Sequence, residues 1–418
     1  MRQMKDSGIE WIGEIPQAWD VRKGKYLFAQ RNERGNNVKL QLLSPTQNYG
    51  VIPQDEYERL SGMSAVKLNE NINLKALKTI HKGDYCISLR SFQGGFEYSM
   101  NEGVISPAYQ VFYPTVKISG GYYKYLFKDK GFISVINSYA MSLRDGKNIS
   151  FEQFGNTVIP VPPLAEQERI AEFLDAKCAE MEALAREIKE QIATLEEYKR
   201  SVITEAVTKG LDASVPMKDS GIEWIGEIPQ TWGIGRIGSY YSLRNTKVSD
   251  REYEPLSVTK QGVLPQLENV AKTDDNDNRK LVREGDFVIN SRSDRRNSCG
   301  ISNYIGSVSL INTVLCPRAE MNGQYYNWLF HTEGFADEFY RWGHGIVNDL
   351  WTTNWREMKK ISIPVPPLTE QERVAEFLDA KCAEVDALIA EKQNQLATLE
   401  EYKKSVIFEY VTGKKEVV

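Results

Sequence analysis

The 418-residue chain has few of the residues that build disulfide frameworks, metal centres or membrane spans. Its five cysteines are an odd number without a Cys-x-x-Cys pair, which argues against a disulfide framework or a zinc knuckle. Its three histidines, His81, His331 and His344, have no ligand-like spacing. The sequence lacks an apolar run of about 18 residues, and its N-terminus lacks an apolar signal core. We therefore expect a cytoplasmic protein in a reducing compartment.

Recognisable catalytic motifs are also missing. The sequence contains no His-Glu-x-x-His, no Walker A loop, no Gly-x-Gly-x-x-Gly and no nucleophile elbow. Its Pro-Pro pairs are followed by Leu, whereas an amino-methyltransferase motif has an aromatic residue there. The sequence therefore favours a recognition protein over an enzyme.

A two-fold internal repeat organises the chain. Residues 4–17 recur letter for letter as residues 217–230. A longer block, residues 159–205, recurs as residues 363–409 with 35 of 47 positions identical. The residues between these blocks differ much more. Duplication alone would spread the differences evenly along the copy. The sequence therefore indicates that the repeated blocks tolerate fewer substitutions than the residues between them.

The divergent regions keep a faint similarity in order and spacing. Gly83-Asp84 is followed by Arg90-Ser91, and Gly285-Asp286 is followed by Arg292-Ser293. Tyr122-Tyr123 likewise has a counterpart in the second copy. We infer two copies of one domain fold whose surfaces have diverged.

The nearly constant long block has the features of a helix. A Pro-Pro-Leu segment precedes it, and residues 166–207 contain neither Gly nor Pro. Apolar residues follow a heptad seam, which requires a partner helix. At 1.5 Å per residue the helix would be roughly 60 Å long. To pair with the first long helix, the helix of the second copy must run antiparallel to it. We therefore expect a dumbbell, in which two globular domains are held apart by a two-helix coiled coil. The seam comprises Leu174, Cys178, Met181, Ala185, Ile188, Ile192, Leu195 and Val202, and then Leu378, Cys382, Val385, Ile389, Leu396, Leu399 and Val406, with Lys392 as a polar interruption.

The predicted fold class is α+β: two similar mixed α/β domains separated by two long helices in a pseudo-two-fold arrangement. Short β-like runs such as Phe287–Asn290 are broken by Gly, Asn and Pro, and residues 122–127 and 324–339 are helix-like. The predicted boundaries are residues 1–160, 161–210, 211–364 and 365–418 for domain, helix, domain and helix.

The formal net charge of −5 is distributed unevenly. The two helical blocks, residues 159–210 and 363–418, carry −4 each, whereas residues 1–158 carry +5 and residues 211–362 carry −2. The second domain still has a local cluster of arginines between Arg279 and Arg296. The total charge therefore does not exclude a polyanionic partner for the globular domains.

These motifs resemble the DNA-specificity subunit of type I restriction-modification systems. The resemblance rests on Ser7-Gly-Ile-Glu-Trp-Ile-Gly-Glu-Ile-Pro16 with Trp19 and on Pro162-Pro-Leu164 with Glu166-Gln167 before a long helix. Both motifs recur, at residues 220–229 with Trp232 and at residues 366–371. The resemblance covers the whole chain in the expected order.

The resemblance implies a non-catalytic, sequence-specific DNA-binding subunit. Each globular domain would be a target recognition domain that reads one half of a bipartite, asymmetric double-stranded DNA site, and the coiled coil would set the gap. The constant helices and their flanks would dock two modification subunits, and two restriction subunits could join. S-adenosylmethionine, ATP and Mg would belong to those partners, with no cofactor in this subunit. The alternative is a coiled-coil scaffold joining two protein-binding modules without DNA recognition.

The candidate DNA-contacting residues lie in polar or basic loops after strands. Arg pairs well with guanine, and Asn or Gln with adenine. A residue that has the same type and position in two domains of different specificity, such as Arg90 or Arg292, is better suited to contact a DNA phosphate than to read a base. The tryptophans at positions 11, 19, 224 and 232 are predicted to pack. The predicted DNA-contacting residues are Arg90, Ser91, Gln93, Arg144, Lys147 and Asn148 in the first domain, and Arg292, Arg295, Arg296, Asn297, Asn348, Trp351 and Asn354 in the second.

Overall fold

The computed structural model describes residues 2–35, 40–47, 49–63, 76–88, 96–140, 149–266, 277–345 and 351–417. The chain divides into two compact units. The first unit comprises Met1–Ile188 and Gln395–Val418, and the second comprises Lys189–Asn394. Each unit therefore contains one globular domain, the first part of one long helix and the last part of the other.

The first unit begins with the globular domain and continues into a helix of 46 residues. Its elements are β1 (Met4–Ile9), β2 (Gly13–Pro16), β3 (Asp20–Lys23), β4 (Phe28–Arg31), β5 (Leu43–Thr46), β6 (Gly50–Pro53), α1 (Gln54–Ser61), β7 (Lys78–Ile80), β8 (Tyr85–Ser88), β9 (Glu97–Tyr98), β10 (Gly103–Ile105), β11 (Tyr109–Pro114), α2 (Gly120–Leu126), α3 (Lys130–Ala140), α4 (Phe151–Asn156), β12 (Val158–Val161) and the first part of α5 (Leu164–Lys209).

The second unit has a similar order of elements after the end of α5 and continues into a helix of 44 residues. Its elements are β13 (Met217–Asp219), β14 (Glu227–Pro229), β15 (Gly233–Arg236), α6 (Ile237–Tyr240), β16 (Tyr241–Leu243), β17 (Lys247–Val248), β18 (Leu256–Thr259), β19 (Gly262–Pro265), β20 (Arg279–Val282), β21 (Phe287–Asn290), β22 (Cys299–Ile301), β23 (Gly306–Val308), β24 (Asn312–Pro317), α7 (Gly323–Phe330), α8 (Glu333–Arg341), α9 (Trp355–Met358), β25 (Ser362–Val365) and the first part of α10 (Leu368–Val411). The order differs from that of the first unit at α1, α6 and β17.

A four-stranded sheet has the same topology in both units. The strand order is β4-β11-β8-β9 in the first unit and β16-β24-β21-β22 in the second. The ladders between these described strands are antiparallel, and parallel pairing is confined to isolated bridges such as that between Leu42 and Val104.

A buried ion pair recurs at the same place in both sheets. The Arg31 guanidinium donates to both oxygens of Asp84 at 2.7 and 3.0 Å, and the Arg244 guanidinium donates to Asp286 at 2.6 and 2.9 Å. The glycine before each aspartate has a positive φ, 94° at Gly83 and 82° at Gly285. The Gly-Asp similarity between the two copies is therefore structural: the glycine makes the turn, and the aspartate pairs with an arginine in or just after the edge strand of the sheet, β4 or β16.

The long helices pair antiparallel within each unit, as predicted. In the first unit Lys403 forms an ion pair with Glu182, and Tyr410 packs on Phe173 at a ring-centroid distance of 4.4 Å. In the second unit Lys199 forms an ion pair with Asp386. The seam cysteines Cys178 and Cys382 are buried free thiols, 5% and 3% exposed, which confirms their predicted packing role.

The constant segments contact one another inside each unit. The Trp19 indole N–H donates to Glu166 at the start of α5, and the Tyr122 hydroxyl donates to the Val411 carbonyl at the end of α10. In the second unit the Tyr325 hydroxyl donates to the Val207 carbonyl near the end of α5. Intramolecular packing therefore accounts for part of the sequence identity between the two copies.

The remaining helix predictions were confirmed except at one break. Residues 324–339 form two helices, α7 and α8, because the Thr332 side chain accepts a hydrogen bond from the Phe335 N–H and starts a new helix. Trp19 and Trp232 are each 1% exposed, and Trp11 and Trp224 pack on the cores, as predicted. Within the described part of the chain, the helices are either too short or too polar to cross a membrane.

Candidate nucleic-acid interface

The connection between β21 and β22 carries four of the predicted DNA-contacting residues. It begins with Arg292, continues as a short 3-10 helix over Ser293–Arg295, and returns to β22 through Asn297 and Ser298. Asn297 has a φ of 61°, a left-handed conformation that asparagine tolerates better than most residues. The Asn290 N–H donates to the Ser298 carbonyl at 2.9 Å and closes the loop. The sequence therefore builds a compact, polar projection at the end of the sheet.

A second segment lies alongside this loop. Arg292 and Thr352 form an isolated antiparallel bridge, in which the Ser293 N–H donates to the Trp351 carbonyl at 3.0 Å. Thr352 also pairs with His344 through backbone hydrogen bonds of 2.9 and 3.1 Å. The structure thus brings the predicted residues Arg292 and Trp351 together, although they are far apart in sequence.

The arginines at the start of the loop are the ones available to a ligand. The Arg292 side chain is 34% exposed and the Arg295 side chain is 67% exposed. Each lies beside Asp294, at 3.9 and 3.8 Å, which is too far for a hydrogen bond. Surface ion pairs of this kind contribute about 0 to 1 kcal/mol, so an anionic ligand can replace Asp294 at little cost.

Arg296 and Asn297 instead attach the loop to the start of α8. The Arg296 guanidinium donates to Glu333 at 2.9 Å and to Asp337, and the Asn297 amide donates to Glu333 at 2.8 Å. Burial alone would lower the pKa of Arg296, but these carboxylates outweigh that effect and raise it. A hydrogen-bonded pair of this kind gives these two residues a structural role in positioning the loop.

Trp351 and Asn354 also have local structural partners. The Trp351 indole N–H donates to the Tyr340 carbonyl at 2.8 Å, and the ring covers Gly343 so closely that a Cβ there would lie 2.3 Å from Nε1. The exposed Asn354 caps α9 by accepting from the Arg356 N–H at 2.9 Å. Trp351 therefore acts as an anchor, whereas Asn354 remains on the surface beside the loop.

An open concavity of about 500 Å³ lies next to these segments. The ammonium of Lys280 donates to the Asn312 carbonyl at 2.6 Å. Burial lowers the pKa of Lys280, and the nearby charge of Lys247 lowers it further. The polar and charged residues lining the concavity include Lys280, Ser291, Thr313, Thr352, Asn354 and Arg356. This combination of cations and short polar side chains can accept an anionic, hydrogen-bonding ligand.

The list of predicted DNA-contacting residues omits Arg356 and also Lys280, although Lys280 belongs to the basic cluster between Arg279 and Arg296. A signal for Lys280 was present, because Lys78 and Lys280 each lie five residues before the repeated Gly-Asp pair. Nothing comparable marks Arg356, whose counterpart in the first copy is Glu152.

The remaining predicted residues lie outside the described residues. They are Arg90, Ser91, Gln93, Arg144, Lys147, Asn148 and Asn348. The described neighbours in the first unit show where two of these segments attach: one follows β8, and the other ends at Ser150, whose side chain and that of Gln153 form a capping box for α4. The predicted DNA-contacting role of all thirteen residues stays a prediction.

One family model matches part of the chain. Residues 12–194 match the family described as type I restriction modification DNA specificity domain. The match covers less than half of the chain, and within residues 12–194 it confirms the predicted resemblance to a type I DNA specificity domain.

Individual relatives extend the similarity beyond the matched segment. The chain is 24% identical, over an alignment 442 positions long including gaps, to the type I restriction enzyme MjaX specificity subunit of Methanocaldococcus jannaschii, covering 97% of this chain and 96% of that protein. It is 22% identical over 311 residues to the EcoBI specificity subunit of Escherichia coli, covering 68% of this chain and 63% of that protein.

Solved structures share the fold. A chain from a structural study of complex assembly and conformational transition of the type I R-M system matches with a TM-score of 0.73 and 15% identity, covering 96% of this chain and 99% of that chain. The HsdS subunit from Thermoanaerobacter tengcongensis matches with a TM-score of 0.53 and 15% identity, covering 96% and 98%. The α+β architecture with two long helices is therefore confirmed.

Proposed function

We propose that this chain is the non-catalytic DNA-reading subunit of a type I restriction-modification complex and that each unit reads one half of a bipartite, asymmetric site. The observation that carries the proposal is the repeated sheet with unequal conservation around it. The two sheets have the same strand order and the same buried ion pair, whereas the loops after β8 and β21 share little beyond Arg90-Ser91 and Arg292-Ser293. Constant scaffolds with variable loops suit two domains that read different sequences.

The charge distribution supports the same assignment of roles. Residues 1–158 carry +5, and the second unit presents exposed Arg295 and half-exposed Arg292 beside the concavity. Both helical blocks are acidic. Phosphate binding releases counterions and requires Lys or Arg. The first globular domain and the arginine-bearing loop of the second, which has a net charge of −2, therefore suit DNA, whereas the acidic helices suit protein partners.

The helices carry aromatic side chains that stay exposed when the helices pair, although the Lys381 ammonium of α10 lies 5.9 Å from the centroid of the Tyr198 ring. Tyr198 is 45% exposed and Tyr402 is 58% exposed, and both belong to the same constant sequence Leu-Glu-Glu-Tyr-Lys. Exposed tyrosines are enriched at protein interfaces, since they bury a large apolar ring and keep a polar tip. We propose that these surfaces bind the two modification subunits, with restriction subunits joining the same complex.

The chemistry of the complex would belong to the partners. S-adenosylmethionine would serve the modification subunits, and ATP and Mg would serve the restriction subunits, in the cytoplasm. The paired helices would act as a ruler that sets the unread gap between the half-sites.

The test is adenine-methylation mapping in cells that express this chain with its modification subunit. The expected result is methylation at one split, asymmetric site that disappears when this chain is omitted. A purified complex of the chain with its modification subunit that binds no DNA and directs no methylation would overturn the proposal and favour the protein-scaffold alternative.

A further inference from the structure

Two positively charged side chains lie opposite each other in the second unit. Lys247 of β17 pairs with Lys280 of β20 in an antiparallel ladder, so both side chains leave the same face. Lys247 is exposed and donates to the Asn278 side chain at 2.8 Å, whereas Lys280 is half-buried and donates to the Asn312 carbonyl at 2.6 Å.

The first unit contains the same arrangement. Arg34 forms an antiparallel bridge with Lys78. Arg34 is exposed and donates to the Ala76 carbonyl at 2.8 Å, and half-buried Lys78 donates to the Tyr109 carbonyl at 2.6 Å. Ala76 and Asn278 each lie two residues before the inner lysine. Tyr109 and Asn312 are the first residues of β11 and β24, which occupy the same position in the two four-stranded sheets. The two pairs of cations are therefore structurally equivalent.

The pairing costs free energy in the isolated domain. Like charges directly opposite each other on antiparallel strands are destabilising. Lys78 and Lys280 are also partly desolvated, and burial together with the opposite cation lowers the pKa of each. Among the described residues, neither lysine forms an ion pair with a carboxylate. A neutral side chain could tether the strand without this cost, so tethering alone does not explain two cations in both copies.

We propose that each pair of cations, Arg34 with Lys78 and Lys247 with Lys280, binds a phosphate of the DNA backbone. Each inner ammonium has three donors and uses one on a carbonyl, which leaves donors for an anion. The proposal rests on the proposed DNA-reading function and assigns it a site. Because both units contain a pair of cations at this place although their loops have diverged, the pairs position the duplex without reading its sequence. Arg356, replaced by Glu152 in the other copy, lies in the same concavity as Lys280 but is variable, as expected of a specificity contact.

The test measures DNA affinity against salt for the full-length chain assembled with its modification subunits. The double variant Lys78→Met/Lys280→Met should reduce the slope of log affinity against log salt by about 2, since each lost phosphate contact removes about 0.9. Affinity at physiological salt should fall roughly tenfold or more, equally for target and unrelated duplexes, with the methylated sequence unchanged. The variant Lys78→Arg/Lys280→Arg keeps the charges and should restore most of the slope.

A matched control removes two exposed cations, one from each unit. Lys117 and Arg318 follow the far ends of β11 and β24, a strand length away from the carbonyls that the lysines contact. Lys117→Gln/Arg318→Gln should leave the slope unchanged, and inorganic phosphate at millimolar concentration should compete more weakly than DNA.

The outcomes separate the two proposals. A methionine variant that melts at a lower temperature but keeps the salt slope of DNA affinity in its folded form would show that the lysines only hold the strands together. That result would overturn the phosphate-binding inference and leave the proposed function standing. An equal loss of slope in the control variant would mean that the change in net charge alone lowers the salt dependence, and it would overturn the phosphate-binding inference as well. Failure of the unmodified complex to bind any DNA would overturn the proposed function itself.

Discussion

At the scale of single residues, Glu97 makes the stability of the first unit depend on pH. Its side chain is 10% exposed, and Lys128 donates to one of its oxygens at 2.5 Å while the other oxygen has no described partner. Burial raises the pKa of Glu97 to about 7, although Lys128 lowers it. The native state therefore holds this proton more tightly than the unfolded state, and stability falls as pH rises from about 4.5 to about 7.

The substitution Glu97→Gln should remove this dependence. The free energy of unfolding at pH 8 should rise, by about 3 kcal/mol at most, and the decline between pH 4.5 and 7 should flatten. Urea unfolding of the full chain at several pH values measures both effects. Glu10→Gln, at an exposed carboxylate, should change neither. If the stability of the Glu97→Gln variant still declines between pH 4.5 and 7, a group other than Glu97 binds the proton that causes the decline.

Residue-level prediction worked where one side chain serves one local purpose. The tryptophans and the seam cysteines were predicted to pack because their size or heptad position allows little else. Arg296 and Asn297 are predicted DNA-contacting residues, and their hydrogen bonds to Glu333 at the start of α8 were not predicted. These contacts join residues 36 and 37 positions apart, so composition alone could not reveal them.

At the scale of elements, the end of α10 fits against the first hairpin through Gly413. This glycine has a φ of 72°, and a Cβ there would lie 2.4 Å from Pro16 Cδ and 3.0 Å from Trp19. Gly413→Ala should destabilise the first unit by about 2 to 4 kcal/mol, because backbone strain and steric overlap add. Hydrogen exchange in the last turns of α10 should accelerate.

The control for this prediction is Gly8→Ala. Gly8 has a φ of 67° but nothing within 4 Å of the added Cβ, so it measures the backbone cost alone, about 1 kcal/mol. Equal effects of the two substitutions would mean that the contact with Pro16 contributes nothing.

The exposed tyrosines of the helices are expected to bind partners. Tyr198→Ala/Tyr402→Ala should weaken assembly with the modification subunit at least tenfold, because interface tyrosines are frequent hot spots. Analytical ultracentrifugation measures the assembly, and circular dichroism should show unchanged helix content. Tyr304→Ala, at a 40% exposed tyrosine of the second globular domain, serves as the control. Unimpaired assembly of the double variant would place the docking surface elsewhere.

The helices were more predictable than the sheets. A heptad seam without Gly or Pro determines a long paired helix from local spacing alone, and α5 and α10 follow it. The four-stranded sheets pair strands that are distant in sequence, such as β4 with β11. Their order depends on contacts like that of Arg31 with Asp84, which no local pattern encodes.

At the scale of the whole molecule, the ruler proposal makes a prediction about spacing. Removing one heptad from each of α5 and α10 should change the length of the unread gap and leave both half-sites unchanged. Methylation mapping with each variant measures gap and half-sites together. A deletion of one heptad from α5 alone should disturb the helix pairing and abolish methylation. A changed half-site in the matched deletion would contradict the ruler.

The most direct measurement of the central claim is a methylome after exchange of one globular domain. Residues 29–158 would be replaced by the corresponding domain of another specificity subunit, with α5, α10 and the constant hairpins kept. The account predicts that one half of the methylated site changes and that the other half and the gap stay the same. A change in both halves, or no change in either, would contradict the claim that each unit reads its own half-site.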